Sequence, residues 1–325
     1  MSLSRRRLLL VAAGGALAGC QTAAQRGGAR PLPTGEPSAT PSAALSPALS
    51  PAVSPAVSPA PSARPFESPA ESPPAPPAPV ASAAPVAQEA APAGRAVAAR
   101  YAGVEPTTWG LDVPGVITAL PDGTRATALT FDACGGPGGS GYDAALIGLL
   151  RTHGVPATLF LNARWIDANP AEFEQLAADP LFEIANHGTA HRPLSVTGRS
   201  AYGIAGTRDP GEVYDEIAGN TAKLTALLGR PPRFFRSGTA HYDDVATRIA
   251  ADLHTRVAGF TVNADGGATF TAAQVRAEVA AAPPGAILIA HMNHPASGTA
   301  PGFAAALPPL LSAGHTFTRL SDALH

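Results

Sequence analysis

From about Tyr101 onward, short apolar runs alternate with longer stretches of helical period, and this alternation predicts the elements. A run from Ala126 to Phe131 is a strand candidate, followed by a helix around Tyr142–His153. Ala157 to Leu161 is the next strand, with a helix from about Pro170 to Ala178 after it, and Leu181 to Ala185 is a third strand. A long helix from about Glu212 to Leu228 leads to the strand Arg233 to Arg236, and another near Asp243–Leu253 leads to Arg256 to Val262. Ala286 to Ala290 and Thr316 to Leu320 close the series. Apolar strands alternating with helices imply a parallel sheet with helices outside, an α/β fold that can close into a barrel. Residues 101–325 suffice for one such domain. Asp132, His187, Arg236, Asp265 and His291 each follow directly on a strand candidate. In parallel α/β folds the C-terminal strand ends are where catalytic groups gather.

The first hundred residues read differently. Met1 to Cys20 carries a basic start, Arg5-Arg6-Arg7, then an apolar stretch from Leu8 to about Ala18, too short to span a bilayer comfortably. Ser4-Arg5-Arg6-Arg7-Leu8 resembles a twin-arginine export signal, and Leu17-Ala18-Gly19-Cys20 resembles a bacterial lipoprotein cleavage box. The expectation is an exported protein, lipidated on Cys20 and anchored to the outer face of the cytoplasmic membrane, facing the cell wall. Residues 21–100 hold about half of the 35 prolines in Ser-Pro-Ala repeats with few bulky apolar side chains. Such a segment cannot bury a core and is expected to be a disordered tether. The formal net charge of -2 gives no nucleic-acid footprint, and a monomer is expected. With Cys20 lipidated, Cys134 has no partner for an intrachain disulfide.

His187 and His191 are the most informative pair. Two imidazoles four residues apart, just after a strand candidate, can grip one divalent ion from a single loop, because Gly188 between them argues against a helix. Spacing alone is weak evidence, because nine His in 325 residues give such a pair by chance in about one chain in four. Asp132 read by itself could cap a turn, Arg236 could be an ion-pair partner, Asp265 sits in the turn-like Asn263-Ala-Asp-Gly-Gly267, and His291 could be a core histidine with His294 as a competitor. His241 and Asp243 are further candidates for the cleft lining.

Taken together, Thr130-Phe131-Asp132, Asn186-His187-Gly-Thr-Ala-His191-Arg-Pro193-Leu194, Phe234-Phe235-Arg236, Asp265 and Ile287-Leu-Ile-Ala-His291 occur in the order of the five motifs of polysaccharide deacetylases, the carbohydrate esterases with a NodB homology domain. The resemblance covers roughly residues 113–325. It implies a single catalytic domain with a distorted (β/α)7-type barrel, hydrolysing N-acetyl groups of a polysaccharide with a divalent metal ion, zinc being the expected one. On that resemblance His187 and His191 are metal ligands, Asp132 is the general base, Arg236 holds that base, His291 is the general acid and Asp265 orients it.

The sequence departs from the family in two places. The first motif usually carries two adjacent Asp, the second being the third metal ligand, whereas this chain has Asp132-Ala133-Cys134, and Ala133 cannot bind metal. Asp132 could serve as ligand and base, Cys134 could supply a thiolate, or the site could be weak or empty. Cys134 is read first as a small buried apolar residue and second as a ligand. The third motif, Arg236-Ser237-Gly238, lacks the usual prolines. Peptidoglycan or a related amino-sugar polymer is the expected substrate of the exported protein. The alternatives are hydrolysis of another C–N bond, as in a cyclic imide or ureide, and a degenerate glycan-binding envelope lipoprotein.

Overall fold

The computed structural model describes residues 93–325. The expected signal segment, Cys20 and most of the expected tether therefore lie outside the described residues. Residues 93–100, assigned from composition to the end of the tether, form helix α1. Val97 of this helix packs on the core, so the folded domain begins earlier than the sequence boundary at 101. Among the described residues no helix is long and apolar enough to cross a membrane.

After α1 the order is β1 (Trp109–Gly110), β2 (Val116–Ile117), β3 (Thr127–Ala133), α2 (Ala144–His153), β4 (Ala157–Leu161), α3 (Ala163–Ala168), α4 (Pro170–Ala178), β5 (Phe182–Asn186) and α5 (Pro210–Leu228). There follow β6 (Phe234–Phe235), β7 (Tyr242–Asp243), α6 (Asp244–Asp252), β8 (Arg256–Ala258), β9 (Val262–Asn263), α7 (Ala272–Ala281), β10 (Ile287–His291), α8 (Thr299–Ser312), β11 (Phe317–Thr318) and α9 (Leu320–Ala323). The main sheet runs β2-β8-β6-β5-β4-β3-β10-β9, with β11 also on β3, and its pairings are parallel. Its two ends, β2 and β9, are joined by residues 259–261, where Thr261 Oγ1 donates to Thr118 O at 2.6 Å; β8 and the first residue of β9 come from the apolar run expected as a single strand over 256–262. The result is the expected curled, distorted barrel with helices outside.

That run breaks for a physical reason. The carbonyls of Ala258 and Gly259 accept hydrogen bonds from the Arg236 guanidinium at 3.1 and 2.8 Å. These two carbonyls are turned toward the guanidinium at the point where the run ends. The chain changes neighbour here: Gly259 N–H donates to Ile117 O, and Thr261 N–H donates to Ile287 O. A Cβ at Gly259 would stand 2.7 Å from Val116 Cγ1, so the crossing needs glycine.

Strand parity divides the side chains. Leu129, Phe131 and Ala133 of β3 join Leu159 and Leu161 of β4 and Leu288 and Ala290 of β10 in the layer under the helices. Ala128, Phe160, Ala185 and Ile287 belong to a separate inner cluster that includes Leu320 and Leu324. Successive residues of a strand face opposite sides. Thr130, Asp132, His187 and His291 therefore share the inner parity, directed to the C-terminal mouth of the barrel. Helix starts are fixed locally: Asp143 caps α2, Asn162 caps α3, Asp209 caps α5 ahead of Pro210, and Thr271 with Gln274 forms a capping box on α7.

Candidate metal and hydrolytic centre

Arg236, immediately after β6, is fully buried among four polar partners and an aromatic face. Its Nη1 donates to Asp132 Oδ1 at 2.8 Å and to Thr130 Oγ1 at 2.9 Å, and its guanidinium carbon lies 4.2 Å from the Phe160 ring centroid. The pair is charge-assisted and shielded from water, which fixes the Asp132 carboxylate in one orientation. Asp132 Oδ2 is left 3.6 Å from His187 Nε2.

His187 is buried directly after β5, and its Nδ1 stands 3.0 Å from the carbonyl oxygen of Arg236. A carbonyl only accepts, so Nδ1 carries the proton and a neutral ring presents the Nε2 lone pair inward. Burial lowers the pKa of this ring, but the Asp132 charge and Cys134 outweigh it and hold it above the usual imidazole range. Cys134 Sγ lies 3.8 Å from His187 Nε2. Burial raises the Cys134 thiol, yet His187, His191 and His291 together pull it well below its ordinary value. His191 meets His187 edge-on, with ring centroids 4.9 Å apart.

The loop holding these imidazoles is braced from α5. Both Glu216 carboxylate oxygens accept from Ala190 N–H, and Oε1 also accepts from Arg192 N–H. Gly188 has φ 82, and a Cβ there would meet Glu216 Oε1 at 2.3 Å. His191 itself adopts φ 62, unusual for a side-chain-bearing residue. A Cβ on Gly238 would come within 2.5 Å of this residue, so glycine is needed opposite it. Asn186 Oδ1 accepts from Gly188 N–H, while Asn162 Nδ2 donates to the carbonyls of His187 and Gly188.

Asp265 and His291 form the second half of the centre. His291 Nδ1 stands 3.0 Å from Asp265 Oδ1, and His291 N–H donates to Asp265 Oδ2 at 2.7 Å. Thr299 Oγ1 at the start of α8 also donates to Oδ2, at 3.0 Å. Burial raises the Asp265 carboxyl, but the bonds and charge of His291 win and hold it below the usual range. Burial conversely lowers the His291 ring, and the Asp265 bond overrides it, keeping the ring well above an ordinary imidazole. With Nδ1 on Asp265, Nε2 is the nitrogen left to face the cleft.

The structure thus brings Asp132, Arg236, His187, His191, Asp265 and His291 to one end of the barrel. An open cleft of ≈ 560 Å³ is lined by Asp132, Cys134, His191 and His291, with Tyr202 and Phe270 among its apolar walls. Cys134, expected first as an apolar core residue, is only half-buried and joins this lining. His294 does not compete for Asp265; its ring centroid stands 6.5 Å from that of His291. Asp243 is not in the cleft lining: it caps α6 and accepts Val196 N–H. His241 packs edge-on against Tyr202, ring centroids 5.1 Å apart. Glu216, Thr299 and Asn162 were not visible as supporting residues in the sequence, since their partners lie 24 or more positions away.

One donor atom from each of Cys134, His187 and His191 lies within 4.8 Å of the other two. His191 Nε2 is buried with no hydrogen-bond partner. A buried nitrogen without a partner is costly unless something fills the space before it. Three donors of nitrogen and sulfur type around that space suit a divalent ion such as zinc.

Comparison with known proteins gives a consistent picture. A family model described as polysaccharide deacetylase matches residues 120–258. An uncharacterized protein of Streptomyces coelicolor is 30% identical over 190 residues, covering 57% of this chain and 67% of that protein. A carbohydrate esterase family 4 pseudoenzyme from Bacillus anthracis superposes with a TM-score of 0.55 at 22% identity, over 66% of this chain and 70% of its own. A peptidoglycan N-acetylglucosamine deacetylase gives 0.54 at 20% identity, over 64% of this chain and 92% of its own. Bacillus subtilis PdaA, a family 4 carbohydrate esterase, gives 0.53 at 18% identity, over 65% and 85%. At these identities the structures establish the shared fold.

Two outcomes follow from the bracing contacts. Glu216→Ala leaves the Ala190 and Arg192 amides without an acceptor, at a cost of about 1–3 kcal/mol. Urea denaturation should show a lower midpoint, and exchange at those two amides should accelerate; unchanged exchange would remove the bracing role. Asp265→Asn removes the charge that holds His291 protonated, so the ring should lose its proton at lower pH than in the wild type. An NMR titration of His291 that does not move downward would contradict this.

Proposed function

The chain belongs to the polysaccharide deacetylase family, and from that premise we propose that it is a metal-dependent hydrolase removing N-acetyl groups from an amino-sugar polymer of the cell envelope. The observation that carries the reading is the convergence, in one cleft, of an Arg-held carboxylate, an Asp-held imidazole and a cluster of metal-type donors.

Amide hydrolysis needs an activated water, stabilisation of the charge on the carbonyl oxygen and a proton for the departing amine. A divalent ion, when bound, lowers the pKa of a water and polarises a carbonyl. His187 and His191 would hold it, with the His187 tautomer already set by the Arg236 carbonyl. Asp132, fixed through Oδ1 by Arg236, has Oδ2 free to take the proton of the attacking water. His291, kept protonated by Asp265, delivers a proton from Nε2 to the amine as the C–N bond breaks. Afterwards the proton on Asp132 and the deprotonated His291 restore the resting state by exchange with solvent.

A polymer suits the open cleft better than a small cyclic amide. Tyr202 stands 77% exposed at the rim, offering an aromatic surface for the C–H face of a sugar ring. The twin-arginine-like start and the Leu17-Ala18-Gly19-Cys20 box support export and lipid anchoring. Peptidoglycan is the polymer within reach of a protein so placed.

The test is acetate release by the zinc-loaded full chain from N-acetylglucosamine oligomers and from peptidoglycan. Asp132→Asn and His291→Ala should each lower kcat by about 10²–10⁴-fold, the range general acid–base catalysis supplies. A protein that binds the glycan and releases no acetate would instead be a glycan-binding member of the family. Tyr202→Ala should raise KM for long oligomers and leave kcat and the short-oligomer KM unchanged; equal losses on all substrates would contradict a rim subsite.

A further inference from the structure

The family pattern asks for a carboxylate one position after the base, and this chain has Ala133 there. In this chain Ala133 brings no donor to the cleft, and the strand register turns it away from that cleft. β3 continues through Ala133, which pairs with Leu161 of β4 and is fully buried in the layer beneath the helices. A side chain at 133 in this register faces away from the cleft. The next residue, Cys134, returns to the cleft lining alongside Asp132.

Cys134 is also held in place. Its carbonyl accepts from Arg164 Nη2 at 3.2 Å, and Gly135 turns the chain with φ 67 while its N–H donates to Gly139 O. A Cβ on Gly135 would meet Trp165 N at 2.5 Å, so the turn can pack this tightly only with glycine. The sulfur is thereby fixed 3.8 Å from His187 Nε2. In a tetrahedral zinc site with Zn–N near 2.1 Å and Zn–S near 2.3 Å, nitrogen and sulfur donors lie roughly 3.6 Å apart. The Cys134–His187 separation is close to that spacing, and the donor atom of His191 lies within 4.8 Å of both.

We propose that Cys134 is the third protein ligand of the metal centre, a sulfur donor standing where relatives place a carboxylate, so that the ion is held by Cys134, His187 and His191. Asp132 then has no ligand duty and keeps Oδ2 for proton transfer. A Cys-His-His set is softer than an Asp-His-His set, and it favours zinc and cobalt over manganese and magnesium. The proposal rests on the hydrolase reading only for what the ion is used for; the ligation stands by itself.

The experiment is titration of the metal-free full chain with Co²⁺, followed by absorption spectroscopy, with zinc affinity measured by competition. Expected is a sulfur-to-cobalt charge-transfer band in the near ultraviolet that saturates with one metal per chain. Cys134→Ser should abolish the band and weaken zinc binding by at least the ~10–100-fold that loss of even a second-shell partner costs. Cys134→Asp should abolish the band, retain binding and shift preference toward manganese, which also controls for folding. Cys20→Ser, removing the other cysteine of the chain, should leave the band in place. Cobalt bound without the band, a band that survives Cys134→Ser, or no cobalt binding would each overturn the proposal. Acetate release measured on the same samples separates the two readings. A band without acetate release leaves the ligation standing and sinks the hydrolase; acetate release without the band does the reverse.

Discussion

The buried guanidinium of Arg236 is the constraint on which the rest of the centre depends. A charge removed from water is tolerable only when every donor finds a partner. Here the partners are Asp132, Thr130 and the carbonyls of Ala258 and Gly259, with Phe160 beneath the plane. Meeting that demand ends the strand after Ala258 and fixes the Asp132 carboxylate. The carbonyl of the same residue accepts from His187 Nδ1 and so decides which nitrogen faces the cleft. One residue thus couples the closure of the barrel, the orientation of a carboxylate and the tautomer of an imidazole. Lysine could not substitute, since a single ammonium lacks the planar fork that reaches four acceptors.

Around this anchor, the two periods of a strand assign the work. Inner-parity positions of β3 and β10 and the residue after β5 carry Asp132, His291 and His187; outer-parity positions carry Leu129, Phe131, Leu288 and Ala290 into the layer beneath the helices. Fold likeness alone does not decide activity, because a structural neighbour with this architecture is itself described as a pseudoenzyme. Chemistry resides in the side chains of the site, not in the fold that carries them. Asp132 is held by Arg236, His291 by Asp265 and His187 by the Arg236 carbonyl, while Ala133 faces the core.

Much of this was legible in the sequence, and the exceptions share causes. Strands β3, β4, β5 and β10 were readable because buried parallel strands are short apolar runs, and α2, α4 and α5 because their ends carry Asp143, Pro170 and Gly229 as signals. Helices α7 and α8 were not found. The first presents only Val275 and Val279 to the core, and the second contains Gly302 and the Pro308-Pro309 pair, which read as breakers. The loop geometry of His187 and His191 was readable from Gly188, whereas its brace Glu216 lies 26 positions from the Ala190 amide it accepts. Asp265 looked like a turn residue, and it does bond Gly267 N–H of its own turn while also holding His291. Cys134 was ranked as core because a lone cysteine in sequence carries no sign of what surrounds it in space.

On the proposed reading, Arg236 and its neighbours present a preorganised pocket of donors to one metal ion in the cleft. The most direct measurement is a zinc-edge anomalous difference map from crystals of the zinc-loaded protein. The expected result is a single strong peak at the mouth of the barrel, about 2.0–2.3 Å from Cys134 Sγ, His187 Nε2 and His191 Nε2, with Asp132 still on Arg236. A peak elsewhere, a peak bound through His187 Nδ1, or no peak would contradict the account.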